Sequence, residues 1–131
     1  MPILVASGPV IVEDGKVLLN QHGDTSFWKF CGGSVRDFSQ SLAEAAQERA
    51  EDEMGITIEI INPTPFLLHT TKETAQGKID VILVHFLAKR IGEIRPREDI
   101  RAWKWIPLNE LPIDLAPNIL PTLNQFGLLT I

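Results

Sequence analysis

The sequence predicts an α/β fold, a mixed sheet with helices packed on its faces. Three observations predict it. Short extended runs are bounded by turn residues, one long helical segment interrupts them, and Val81-Ile82-Leu83-Val84 marks a strand buried on both faces. The 131 residues suit one domain, 1–131, and a hydrophobic content of 44% is enough to bury a core.

Taken in order, Ile3 to Val12 and Lys16 to Gln21 are apolar runs separated by Glu13-Asp14-Gly15, which predicts a hairpin. Trp28 to Val35 reads as a short strand running into Gly32-Gly33, where missing side chains permit a turn and close approach of backbone to a ligand. A helix follows over about Ser41 to Met54, with Ser39 or Ser41 as N-cap and Gly55 as its stop. Ile56 to Ile61 and Pro65 to Thr70 are extended and are broken by Asn62-Pro63. Lys78 to Arg90 is the buried strand, and Arg101-Ala-Trp103-Lys-Trp105-Ile106 alternates as a last one. The turn Pro107 to Pro112 leads to a helix over about Ala116 to Phe126.

Charge excludes several function classes. A formal net charge of −5 and a pI near 5.1 speak against nucleic acid or an anionic membrane as partner. Arg90, Arg95, Arg97, Arg101 and Lys104 are interleaved with Glu93, Glu98 and Asp99, which reads as a solvated hairpin or loop. The single cysteine rules out an intrachain disulfide, and charges from position 13 onward leave no apolar stretch of membrane-spanning length. The expected location is cytoplasmic. Met1-Pro-Ile-Leu-Val-Ala-Ser lacks a basic prefix and reads as part of a first strand rather than a signal peptide.

The chemistry concentrates in the long helix. At about 100° per residue, Leu42, Ala45, Ala46 and Ala50 share one arc, and Arg49 and Glu53 point into its middle. Glu44, Glu48 and Glu51 face water, and Asp52 lies at the edge of the apolar arc. A carboxylate aimed at a core persists only when paired, hydrogen-bonded or bound to a cation. Asp52 and Glu53 flank one line and offer the oxygen ligands that suit magnesium or manganese. The plainer alternative is a structural Arg49–Glu53 pair at i,i+4.

This segment resembles the signature box of the Nudix hydrolases, whose pattern runs Gly, five residues, Glu, seven residues, then Arg-Glu-apolar-x-Glu-Glu-x-Gly-apolar. Anchored on Gly55-Ile56, the chain supplies Glu48-Arg49-Ala50-Glu51-Asp52-Glu53-Met54, with the Arg-Glu dipeptide reversed. Upstream, Trp28-Lys-Phe-Cys31-Gly32-Gly33 is similar to the family's Trp-x-x-Pro-Gly-Gly, and the loop glutamate reads as Gln40, one residue late. A rival register through Gln47-Glu48-Arg49-Ala50-Glu51-Asp52 restores the five-residue loop. It would place Arg49 at the apolar position and turn Leu42 and Ala46 out of the core, so the first register is adopted.

The resemblance spans nearly the whole chain and implies an α/β/α sandwich that hydrolyses a nucleoside diphosphate linked to another group, with magnesium or manganese neutralising the diphosphate. It implies Asp52, Glu53 and the carbonyl near Gly33 as metal ligands and Gly32 and Gly33 as the turn shaping the substrate site, and Trp28 beside them offers a ring to stack on a base. Arg49 stands where the family has a coordinating glutamate, and Glu48 is turned toward solvent by one residue of helical rotation. Two functions therefore stand open: a magnesium-dependent pyrophosphohydrolase of low turnover, and a Nudix-like nucleotide-binding or sensor module that has lost catalysis. A ligand-free scaffold is a third. The partner expected is a small-molecule nucleotide.

Other residues have plainer readings. Cys31 is a packing residue beside the turn, Glu73, Asp80, Glu93, Glu98 and Asp99 are surface acids, and His22, His69 and His85 lack zinc-ligand spacing. Trp103 and Trp105 share a strand face and suit the core or a homodimer contact, the latter by analogy with the family.

Overall fold

The computed structural model describes residues 3–129. Strands β1 (Ile3–Glu13) and β2 (Lys16–His22) meet antiparallel across Asp14-Gly15. Both turn residues have positive φ, 50° and 74°, as a two-residue hairpin turn matching the strand twist requires. The long strand β6 (Gly77–Ile91) runs parallel to β1 from Ile3↔Asp80 to Ile11↔Ala88. On its other side β6 takes β5 (Phe66–Thr74) along its first part and β4 (Thr57–Ile60) along its last, both antiparallel. Strand β7 (Ile100–Pro107) closes the far edge on β2, so the mixed sheet runs β4-β6-β1-β2-β7.

The segment after β2 is less regular than the sequence suggests. Lys29 bridges to Asn20 and Trp28 to Leu115, but the only strand, β3, is Gly33–Ser34, paired to β1 at Ala6 and Ser7. Between these pairings the chain crosses directly over Gly8. A Cβ there would overlap the Cys31 carbonyl oxygen and lie 2.7 Å from Gly32 Cα.

Helix α1 (Leu42–Met54) follows its local sequence closely. Ser41 Oγ accepts from the Glu44 amide and the Glu44 carboxylate accepts from the Ser41 amide, each at 3.1 Å, completing a capping box. Gly55 ends the helix in the left-handed conformation at φ 67°. Ala46, Ala50 and Met54 are fully buried against one sheet face together with Ile11, Leu18, Val84, Phe86 and Ala88. Alternate residues of the same strands, Val10, Val17, Leu19 and Ile106, face the opposite core under Trp28, Phe30, Ile119 and Leu123.

That second core is covered by α2 (Ile119–Gln125), which begins three residues later than its sequence predicts. The Ala116 amide is committed to the Trp28 carbonyl at 2.9 Å, so the chain at 116 serves the bridge to Trp28 instead of a helical turn. The layers are α1, sheet, α2, as the sandwich expectation requires. The basic run is divided: Arg95 and Arg97 are exposed, whereas Arg90 holds Glu13 through two hydrogen bonds of 3.0 Å. No helix among the described residues is long and apolar enough to cross a membrane.

Because backbone and not a flexible side chain occupies the space beside Gly8, Gly8→Ala is expected to lower stability by about 2 kcal/mol or more. A urea unfolding midpoint equal to that of the parent protein would contradict this account of the crossing.

Candidate functional site

Residue Glu53 gathers the site. It lies on the last turn of α1, and its carboxylate is 5% exposed on the sheet-facing side. One oxygen, Oε1, accepts from the Gly32 amide at 3.2 Å, and the other, Oε2, accepts from Arg49 Nη2 at 2.8 Å. The i,i+4 spacing on α1 makes the second contact, and the pair satisfies the demand that burial places on both charges. The Glu53 backbone carbonyl accepts from the Arg97 amide at 2.9 Å and that of Met54 from the Arg95 amide at 2.7 Å, which docks the segment before β7 onto the end of the helix.

Arg49 lies flat against the glycine turn. A Cβ on Gly33 would sit 2.7 Å from both Nε and Nη2, so glycine is what gives the guanidinium its room. Its Nε is buried without a partner. Cys31 packs alongside, with Sγ 3.8 Å from the Arg49 carbonyl. Burial, reinforced by the neighbouring Glu53 charge, pushes this thiol well above its ordinary range, which keeps it protonated and unreactive.

Asp52 turns outward to Arg36 at 3.6 Å, with the two side chains 45% and 62% exposed. Glu48 is half-buried and enters no ion pair among the described residues. Trp28 is buried in the α2-side core with Lys104 Nζ 4.6 Å above its ring. Thus the structure brings Arg49, Glu53, Gly32 and Gly33 together and sets Glu48, Asp52 and Trp28 apart from them. Among the described residues no three histidine, cysteine or acidic side chains cluster as metal ligands. Asp99 is a nearby acid. His22 Nε2 holds it at 2.7 Å and, with the positive charge of Arg49 contributing, keeps its carboxyl below the ordinary range.

On the other side of Gly32-Gly33 a cavity of about 240 Å³ opens, lined by Lys29, Phe30, Leu83, His85, Ala116 and Asn118 among others. His85 is 4% exposed, flanked by Phe30 edge-on at 5.7 Å and Phe66 at 5.8 Å. Its Nδ1 lies 3.0 Å from the Phe66 carbonyl oxygen, which can only accept, so Nδ1 carries the proton. Nε2 is then the acceptor for Asn118 Nδ2 at 2.9 Å, and this bond fixes the carboxamide at the cavity. Burial lowers the His85 pKa and favours the neutral ring this network needs. The sequence sets His85 on the buried strand 78–90 and gives no signal for Asn118 or Phe30, because only the approach of the α2 end to β6 joins them.

A NUDIX domain family model matches residues 1–126. Among solved structures, a MutT NUDIX hydrolase from Burkholderia pseudomallei superimposes with a TM-score of 0.77 at 27% identity, covering 95% of this chain and 98% of that one. A NUDIX-family hydrolase from Clostridium perfringens superimposes with a TM-score of 0.71 at 18% identity, covering 92% and 93%. An ADP-ribose pyrophosphatase from Streptococcus suis gives 0.66 at 22%, covering 95% and 87%. The last two likenesses are of fold alone. None of the curated proteins matches the chain.

Two measurements probe this geometry. Removing one partner of the Arg49–Glu53 pair should leave the other charge buried, so Arg49→Met or Glu53→Leu alone is expected to cost about 3 kcal/mol or more, and the double variant much less than the sum. Additive losses in urea unfolding would show that the two side chains are not coupled.

For His85 the unfolded ring takes up a proton near pH 6.5, as the folded ring, with its lower pKa, does not. Stability is therefore complete above about pH 6.5 and declines as pH falls toward the lower folded value. His85→Gln should flatten that decline, and an unchanged pH–stability slope would assign it elsewhere. The depressed carboxyls of Asp37 and Asp99 act in a separate, more acidic window.

Proposed function

The chain belongs to the Nudix family, and we propose that it holds a nucleoside diphosphate linked to a further group and hydrolyses it with strongly reduced turnover. The cavity beside Phe30, His85 and Asn118 suits the flat, polar-edged base. Aromatic rings there offer a stacking surface, and the immobilised Asn118 carboxamide offers directed hydrogen bonding. Gly32 and Gly33, without side chains, let the diphosphate approach the backbone, and Lys29 at the cavity wall supplies positive charge.

The observation that carries the reduced turnover is the Arg49–Glu53 pair. The family generally works with a divalent cation. In this chain both Glu53 oxygens are engaged by Arg49 and Gly32, and Asp52 faces Arg36. With no third acidic ligand clustered among the described residues, the arrangement does not fit a tightly held divalent ion. Ligation of magnesium or manganese by Asp52, Glu53 and the Gly33 carbonyl would require Arg49 to leave Glu53. The second reading, a binding module without catalysis, is favoured by the burial of that pair, 16% and 5% exposed, which resists such a rearrangement.

The test is a panel of nucleoside diphosphate derivatives, with and without magnesium, read both as phosphate-product release and as thermal shift. Slow release that depends on the cation supports the hydrolase, a shift without release supports the binding module, and neither signal overturns both. The exchange Glu48→Arg with Arg49→Glu returns the carboxylate to the buried stripe and should raise magnesium-dependent hydrolysis by about tenfold or more. No gain on any nucleotide would refute the role assigned to the reversed dipeptide.

A further inference from the structure

The charges around the glycine turn are balanced in a way that an acid cluster is not. Asp52 has Arg36 and Glu53 has Arg49 as a cationic partner, Asp99 feels the positive charge of Arg49, and Lys29 stands in the cavity wall. Asp99 is also held by His22. A polyanion placed over uncompensated carboxylates needs a bridging metal ion to offset repulsion, whereas one placed over a balanced site does not. The guanidinium of Arg49 has hydrogen-bonding capacity to spare. Nη2 is committed to Glu53 and Nε is buried without a partner, whereas Nη1 donates no hydrogen bond among the described residues and is not buried, so it is the donor open to a ligand. Nη1 and the guanidinium charge are suited to a phosphate oxygen, and the group rests against Gly33, which also lines the cavity. Arg36 is 62% exposed beside the same helix and is free to turn from its long 3.6 Å contact with Asp52.

We propose that the phosphates of the ligand are anchored by the chain's own cations, Arg49 with Lys29 and Arg36, so that binding does not depend on a divalent metal. The inference rests on the nucleotide reading above and adds the means of holding the diphosphate. Calorimetric titration of the full chain with ADP and with inorganic pyrophosphate, in EDTA and in magnesium, tests it. Affinity in EDTA should equal or exceed that in magnesium. Arg49→Glu should weaken binding in EDTA by roughly tenfold or more and make the remainder magnesium-dependent. Arg36→Gln alters only an exposed side chain, so it reports even if the Arg49 variant does not fold; it should weaken EDTA binding by about threefold, the scale of a screened charge contact.

Binding of ADP by the parent protein in magnesium but not in EDTA would overturn the inference and leave the nucleotide reading standing. Pyrophosphate binding in EDTA without ADP binding would do the reverse. Silence of both probes in both buffers would overturn both, and an Arg36→Gln affinity in EDTA equal to that of the parent would remove Arg36 from the anchor.

Discussion

The carboxylate of Glu53 is the constraint on which the rest of this site depends. Its side chain joins helix α1 to the Gly32 amide and to Arg49, and its backbone carbonyl receives the Arg97 amide. Helix, glycine turn and the segment leading to β7 are therefore tied at one residue. A buried ionised group with fewer partners would be expensive, so its neighbours are held in the positions that satisfy it. Glycine at 33 follows from the same requirement, since Arg49 fills the space that a Cβ would occupy.

This arrangement pairs charge of both signs on one face of the helix. A helix with acids at i, i+3 and i+4 gathers negative charge that only a cation can neutralise. With arginine at position 49, the neutralising charge is covalently part of the helix, and the turn is held in place without an ion. Both Glu53 oxygens are occupied by donors, and Asp52 points to Arg36. The cavity beyond Gly32-Gly33 has a network of its own, in which the Phe66 carbonyl, His85 and Asn118 are joined without Arg49 or Glu53.

Much of the fold was legible locally. Alternation, the Asp14-Gly15 turn, the Ser41 and Gly55 caps and the Ala46-Ala50 stripe are short-range patterns, and each appears in the structure. The expected strand at 28–35 was reduced to bridges and two residues, and the last helix was shortened, because long-range partners, Gly8 and Trp28, claimed the backbone there. Local propensity has no access to such claims. In the site, helix phase was enough to aim Arg49 and Glu53 inward. It could not say that Trp28 would pack under Lys104, or that Asp52 would turn to Arg36.

The sequence by itself determined the family resemblance, the phase of α1 and the replacement of an acid by Arg49, because each depends on residue identity at fixed spacing along the chain. Tertiary structure alone decided that Arg49 closes on Glu53 against Gly33, and that His85 from β6 fixes Asn118 ahead of α2. Those contacts join residues distant in the chain or depend on a neighbour from another element. Their geometry exists only once sheet and helices have packed.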